Sequence, residues 1–570
     1  MDTIPAVLEA RLRAALEPLG PFGPLEPVVT LATDSRFGDY QTNIAMLLAK
    51  QQRANPRDIA RRIIESLDVA GICDPPEIAG AGFINFRVTP PHLQQRLAAV
   101  AADSMLGVPP AAAPQTVVID FSSPNVAKPM HVGHIRSTIL GDTLSRVARF
   151  LGHRVIADNH IGDWGTQFGM VIYGWKHWRD QSAIENSPVE ELVRLYKKAN
   201  ALAETDPEVR RECREELVKL QQGNPENVEI WRQSVALSWR EFEKIYTQLD
   251  VHFDEHLGES AYNDRLAPLV QRLLDQGIAE ISEGAACIFF RDIPALADKP
   301  CLIRKGDGGF LYATTDLATI EYRIERWHPD QIWYVVGAPQ QLHFDQVFAA
   351  ARRIGIHAGL RFIPFGSILG EDRKLMKTRS GDNVSLASLL SEAQERALAL
   401  VEQKNPGLSG PEKLEIARAV GIGAVKYADL SQARMTDYIF SWEKMLSFHG
   451  NTAPYLQNAY VRVRSIFRKL DTPWLPPTSI TLQEAAELTL AKKLIQFAET
   501  VPQVLDDFRP NILANYLFEL ADTFHTFYEA CPVLKADEPA RGTRLALCHL
   551  TARILHKGLD LMGIRAPERM

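Results

Sequence analysis

The spacing of apolar and polar positions changes several times along the chain, and those changes divide it. The opening stretch MDTIPAVLEARLRAALEPLG reads as an amphipathic helix carrying acidic residues. Up to about residue 105, helical stretches such as 42–48 (TNIAMLL) alternate with short strands such as 82–86 (GFINF), which predicts a small α+β module. Residues 107–114 (GVPPAAAP) are rich in proline and small side chains and favour an extended linker. An apolar run of buried-strand length, TVVIDF at 116–121, then leads through a loop into a helical pattern from about 134 to 151. Further strands are expected at 154–157, 331–336 and 361–365, interleaved with helices, the pattern of a parallel sheet covered on both faces.

Between about 185 and 244 the chain is charged, helical and poor in β-branched residues, so it reads as an insertion into that sheet domain. After about residue 450 the strand signals vanish, and amphipathic helices broken at 473–477 and at Pro510 predict an α-bundle. The expected organisation is three units: 1–112, 113–450 with an insertion at about 185–260, and 451–570.

Composition narrows the classes of function. With 46% hydrophobic and 23% charged residues the chain has the balance of an ordinary globular protein. No apolar stretch approaches the roughly 20 residues of a membrane span, and the N-terminal helix lacks a signal-peptide core, so a cytoplasmic protein is expected. The six cysteines are scattered without a CxxC pair, which predicts reduced thiols and no structural zinc. A net charge of -7 argues against binding nucleic acid through bulk charge; any RNA recognition must rest on shape and specific contacts.

The loop 122–134 (SSPNVAKPMHVGH) places HxGH at a predicted helix start, directly after the first sheet strand. Backbone amides and the helix dipole there favour phosphate, and His131 and His134 can donate to its oxygens across Gly133. Taken alone, two neighbouring histidines suit a structural role equally well; their position after a buried strand favours the nucleotide. A second segment, 370–381 (GEDRKLMKTRSG), gathers cations and glycines after another strand and suits either a solvated charged turn or contact with a triphosphate.

In this order the two loops resemble the signature pair of class I aminoacyl-tRNA synthetases. Longer words, DFSSPNVAKPMHVGHIRSTILG at 120–141, HIGDWGTQFG at 160–169, YATTDLA at 312–318, VGIGAVKYADLSQ at 420–432 and GNTAPYLQ at 450–457, resemble the arginyl-tRNA synthetase family. RFGDYQTNIAMLLAK at 36–50 and GIRAPERM at 563–570 extend the likeness nearly end to end. The resemblance implies a Rossmann-type catalytic domain, a tRNA-binding N-terminal domain and an anticodon-binding helical bundle. It implies an ATP-dependent enzyme, with Mg2+ carried on the nucleotide, that joins L-arginine to tRNA(Arg) through an arginyl-adenylate, acting as a monomer.

Site residues follow from the same likeness. Asp120, Tyr312 and Asp316 are expected at the guanidinium end of arginine, with Asn125 and Gln340 at its α-amino and carboxylate end. His131, Gly133 and His134 would hold ATP, and Lys128 looks like the cation that compensates for Thr378, which stands where the second signature usually has a lysine. Lys374, Lys377 and Arg379 are the remaining candidates of that signature. For tRNA, the likeness points to Tyr455, Tyr528 and Met570 in the bundle and to Asn85 and Phe86 in the N-terminal unit.

Overall fold

The computed structural model describes residues 1–20, 25–376, 384–477 and 479–570. The N-terminal unit is a four-stranded antiparallel sheet in the order β1 (Thr30–Leu31), β2 (Tyr40–Thr42), β4 (Phe83–Phe86), β3 (Glu77–Ala79), packed with helices at 4–16, 44–52, 56–66 and 90–102. Thr42 closes β2 instead of opening a helix, and Gly82, at φ +134, makes the turn ahead of β4 instead of joining the strand. Ile84 and Phe86 point into the core, both fully buried.

The central sheet is parallel, in the order β11 (Gly359–Phe365), β10 (Gln331–Gly337), β5 (Thr116–Asp120), β6 (Arg154–Asp158). Val117, Val118 and Ile119 are wholly buried because β5 lies inside the sheet with both faces covered, which is why its sequence reads as an unbroken apolar run. The chain leaves β5 for β6 on one side and reaches β10 on the other, so the strand order reverses between β5 and β10. Ligands in open α/β sheets bind beyond the carboxyl ends of the strands at such a reversal.

Between β6 and the next strand run helices at Gln167–Trp178, Gln181–Asn186, Pro188–Thr205, Pro207–Gln221 and Pro225–Leu249, beginning earlier than the charge pattern suggested. A second sheet, β7 (Glu280–Ser282), β8 (Ala285–Ile288) and β9 (Cys301–Arg304), is antiparallel and was not legible as strands. A short parallel pair, β12 (Ile368–Leu369) and β13 (Tyr438–Ile439), brings two distant segments together beside the central sheet.

The C-terminal part is helical, with elements at 453–468, 485–495, 497–506, 510–530 and 540–561. Pro510 opens its helix at the first position, where a missing N–H costs nothing, and the break lies just before it. The two ends of the chain meet: the Tyr40 hydroxyl donates to Glu499 at 2.7 Å, and Lys492 pairs with Asp39 at 2.6 Å. All six cysteines are buried and free.

Candidate active site

A cavity of about 600 Å³ opens at the carboxyl ends of β5 and β10, where the strand order reverses. It is lined by Asp120, Asn125, His131, Gly133, His134, Tyr312, Asp316 and Gln340, eight of the residues expected from the sequence. The loop that carries the first of these is held in an unusual path, with Ser122, Ser123 and Ala127 at φ +73, +47 and +59. Non-glycine residues persist in that region only when their surroundings fix them. Here Ser122 N–H donates to Ser137 Oγ at 2.8 Å, Ser123 N–H to Asn159 Oδ1 at 3.1 Å, and Ala127 N–H to Ser238 Oγ at 3.1 Å. Asn125 is seated by a backbone bridge to Gly162, where a Cβ would lie only 2.2 Å from Asn125 Oδ1.

The helix Val132–Phe150 begins at the cavity wall with a reciprocal cap made by two histidines. His131 Nδ1 accepts the Gly133 N–H at 3.0 Å, and His134 Nδ1 accepts the His131 N–H at 3.1 Å. A ring nitrogen that accepts carries no proton, so the neutral tautomer of each ring bears its hydrogen on Nε2. Gly133 is required at this turn, because a Cβ there would stand 2.8 Å from His131 Cε1. Burial, with Lys128 nearby, lowers the His131 pKa, and burial together with His131 pushes His134 down to about 3. The pair is neutral in the working range and presents N–H donors with the helix N-terminus behind them.

The opposite side of the cavity is acidic. Asp316 and Tyr312 rise from one face of the Tyr312–Trp327 helix, Tyr312 being 70% exposed at the mouth. His343 Nε2 sits 2.5 Å from Asp316 Oδ2. Glu259 also lines the cavity, and burial, then Asp316 and Asp163, push its carboxyl up to about 8. Asp120 lines the floor with both oxygens engaged: Oδ2 lies 2.6 Å from the Arg323 guanidinium and Oδ1 accepts from Ser123 Oγ at 3.0 Å. Arg323 is fully buried, bonded also to Asp158 at 2.7 Å and set over the Tyr334 ring.

Glu259, His343 and His160 line the same cavity and were missed in the sequence. Glu259 opens a single 3-10 turn, Glu259–Tyr262, without any motif, so only the fold brings it in. His343 follows Gln340 by three residues at the start of the Gln341–Arg353 helix, a spacing that places both near the pocket and was there to be read.

Lys128 is exposed on the loop just ahead of the histidines, outside the cavity lining. Lys374 is exposed in a tight turn closed by the Gly370 N–H to Lys374 carbonyl bond at 2.8 Å. Lys377, Thr378 and Arg379 lie outside the described residues. The chain just after them returns to the histidine cap: Val132 N–H donates to the Val384 carbonyl and Leu386 N–H to the Met130 carbonyl, both at 2.9 Å.

Three family models match the chain: "tRNA synthetases class I (R), catalytic domain" over 97–442, "DALR anticodon binding domain" over 456–570, and "Arginyl tRNA synthetase N terminal domain" over 6–88. A curated relative from Cellvibrio japonicus named arginine–tRNA ligase is 46% identical over 577 residues, covering 99% of each chain. The chain belongs to the arginyl-tRNA synthetase family. The relative of the same name from Thermobifida fusca is also 46% identical, over 99% of each chain. Among solved structures, arginyl-tRNA synthetase from Plasmodium falciparum superposes with a TM-score of 0.86 at 28% identity, and that from Thermus thermophilus with 0.84 at 26%, each covering both chains fully. This synthetase is thus an enzyme of class I, with the parallel-sheet catalytic domain, N-terminal domain and helical anticodon-binding domain expected from its sequence.

In the helical domain, the Tyr455 hydroxyl bonds to His525 Nδ1 at 3.0 Å, and Tyr528, 36% exposed, lies under the Arg462 guanidinium. Met570 packs partly buried against the bundle. In the N-terminal unit the expectation for Phe86 is corrected: its side chain is 0% exposed, on the core face of β4, and cannot meet an RNA. Asn85, on the other face, is only 3% exposed, with a buried Oδ1 that lacks a hydrogen-bond partner.

Proposed function

We propose that this synthetase activates L-arginine with ATP and transfers it to tRNA(Arg), and that the carrying observation is one cavity with opposite chemistry on its two sides. His131, Gly133 and His134, at a helix N-terminus, suit the phosphates of ATP. Asp316, with His343 on one of its oxygens, and Glu259 face the same space and suit a guanidinium. Tyr312 completes that end. Asn125 and Gln340 hold the α-amino and carboxylate end, which sets the substrate carboxylate toward the nucleotide.

The arginine carboxylate oxygen attacks the α-phosphorus in line, the bond to the β-phosphate oxygen breaks, and diphosphate leaves. The Nε2–H groups of the two histidines stabilise charge that develops on the phosphoryl oxygens. A terminal ribose hydroxyl of the tRNA then attacks the adenylate carbonyl and AMP departs. Lys128 is the proposed compensating cation for the phosphates, and Lys374, Lys377 and Arg379 are the second signature's candidates for further positive charge on ATP. Mg2+ arrives with ATP; among the described residues no cluster of three His, Cys, Asp or Glu side chains is placed to hold a metal, so no protein ligands are assigned to it.

Asp120 is better read as the floor partner of Arg323 than as a direct guanidinium ligand, since both of its oxygens are engaged. For RNA, Tyr528 and Tyr455 offer rings for stacking on the bundle, with Met570 at its edge; Asn85, 3% exposed, is buried in the N-terminal sheet and offers no open edge. We take the three working units to be 1–112, 113–450 with an insertion at about 185–260, and 451–570. Among the described residues no helix is long and apolar enough to cross a membrane. The reading assigns the enzyme to the cytoplasm as a monomer, and sedimentation at working concentration checks the oligomeric state.

The deciding experiment is ATP–pyrophosphate exchange with each amino acid in turn, with and without total tRNA. Exchange confined to arginine, and seen only with tRNA present, is expected; exchange with another amino acid, or none at all, would overturn the reading.

A further inference from the structure

Outside the cavity, one buried charge cluster ties together the segments that carry the two nucleotide loops. Arg136 lies in the first turn of the helix capped by His131, two residues beyond His134, and is 1% exposed. Its Nε lies 3.1 Å from Asp429 Oδ2 and donates to Oδ1 at 3.3 Å; Asp429, on the helix Gly410–Leu430, is also 1% exposed. Arg136 Nη1 donates to the Thr436 carbonyl at 3.1 Å, and the guanidinium sits 5.3 Å from the centre of the Tyr438 ring and 5.9 Å from that of Phe365. The Tyr438 ring is thus the contact through which the guanidinium meets β13.

Tyr438 belongs to β13, whose partner is Ile368 of β12. The next residues after β12 form the Gly370–Lys374 turn, closed again by a bridge from Leu369 to Leu375. The second signature therefore enters from a strand clamped to β13, while its exit at Val384 to Leu386 is bonded to Met130 and Val132, beside the histidine cap. Both ends are referred to the same helix, the entry through Arg136 and the exit through the backbone of its first turn.

Two features argue that this cluster does more than hold the fold. A buried ion pair is weak evidence of stability, because desolvation offsets most of the attraction and apolar packing would serve as well. A guanidinium with its planar fork, in contrast, fixes direction and distance among three partners at once. We propose that Arg136, Asp429 and Tyr438 are positioning residues that set the Gly370–Lys374 turn at a fixed separation from His131 and His134, so that both loops fit one ATP. The proposal rests on the reading of this site as an ATP site.

The test is Tyr438→Leu, which removes the ring beside the guanidinium, together with Arg136→Lys, which keeps the charge and removes the fork. ATP and arginine KM values are measured in pyrophosphate exchange, with active protein counted from the adenylate burst. Both variants are expected to raise the ATP KM or lower kcat per active site by about tenfold to a hundredfold, the scale of a slight misplacement of reacting groups, with the arginine KM within about twofold of the parent. Equal shifts in both KM values, or a loss explained wholly by fewer active molecules, would overturn the proposal. Should neither variant fold, hydrogen exchange on the parent protein decides: amides of 436–439 and 384–386 are expected to slow when a non-hydrolysable ATP analogue is added, and unchanged rates there overturn it. A parent protein without arginine-dependent exchange would instead overturn the functional reading on which this rests.

Discussion

His131 and His134 each place a ring nitrogen under a backbone N–H of the same helix turn, at 3.0 Å for the Gly133 amide and 3.1 Å for the His131 amide. Each ring is thereby fixed in tautomer as well as in position, and its remaining N–H is the one available to substrate. His134→Ala is expected to reduce adenylate formation by about 10²–10³-fold, the usual loss when one aimed donor is removed, while removing the cap lowers stability by only about 1 kcal/mol. Pyrophosphate exchange read beside thermal melting separates the two effects. The same rings set an acid limit. A histidine whose folded pKa lies near 3 leaves the folded state with fewer protons than the unfolded chain below the ordinary value near 6.5. Its contribution is therefore complete above pH 6.5 and is lost as pH falls toward 3, and urea unfolding at stepped pH should show His134→Gln less acid-sensitive than the parent.

Glu259 should make arginine binding release a proton. Its carboxyl, held up near 8 by burial and by Asp316 and Asp163, is largely protonated at neutral pH, and an arriving guanidinium favours the charged form. Arginine affinity is expected to rise with pH up to about 8, and calorimetry in two buffers of different ionisation enthalpy should reveal the proton. Glu259→Gln should weaken binding and abolish both effects. In the free protein the sign reverses: a carboxyl raised above its unfolded value loses stability as pH climbs from about 4.5 to 8, so the glutamine variant should unfold at higher denaturant than the parent at pH 8.

Asp316→Ala is expected to raise the arginine KM by roughly 10²-fold, corresponding to about 3 kcal/mol for a desolvated pair that loses one partner, with the ATP KM little changed. Steady-state exchange with each substrate varied separately checks this. An unchanged arginine KM would remove Asp316 from the guanidinium end.

Tyr528→Ala should act on the RNA alone. Stacking of one base on an aromatic ring contributes about 1–3 kcal/mol, so kcat/KM for tRNA should fall about tenfold while the arginine KM stays as it was. Aminoacylation with tRNA varied, run beside filter binding, is the measurement.

Much of this site was legible because its residues cluster in short words. His131 to His134 and Tyr312 to Asp316 are local patterns whose geometry the helix dictates, and β5 announces itself by its apolar run. The structure added what local pattern cannot carry. Glu259 reaches the cavity only through the path from the Pro225–Leu249 helix back to the sheet, and Arg323 pairs with Asp120 across 203 residues of sequence. For Phe86 the sequence reads the same whether an aromatic in a strand faces core or partner, and the fold covers both faces of β4 at this end, leaving Asn85 3% and Phe86 0% exposed. The strands β7 to β9 are short, and their alternation is too brief to stand out from the loops around them.

The Arg323 guanidinium beneath the cavity floor, gripped by Asp120 and Asp158 and faced by Tyr334, is held by the same kinds of groups that the cavity above offers to a free arginine. The molecule thus contains an inner seat for its own substrate's side chain, permanently filled by a tethered copy. Tethering keeps that occupant at an effective concentration that dissolved arginine does not match. Saturation of the protein with arginine should accordingly count a single exchangeable equivalent, with the second guanidinium already built into the chain.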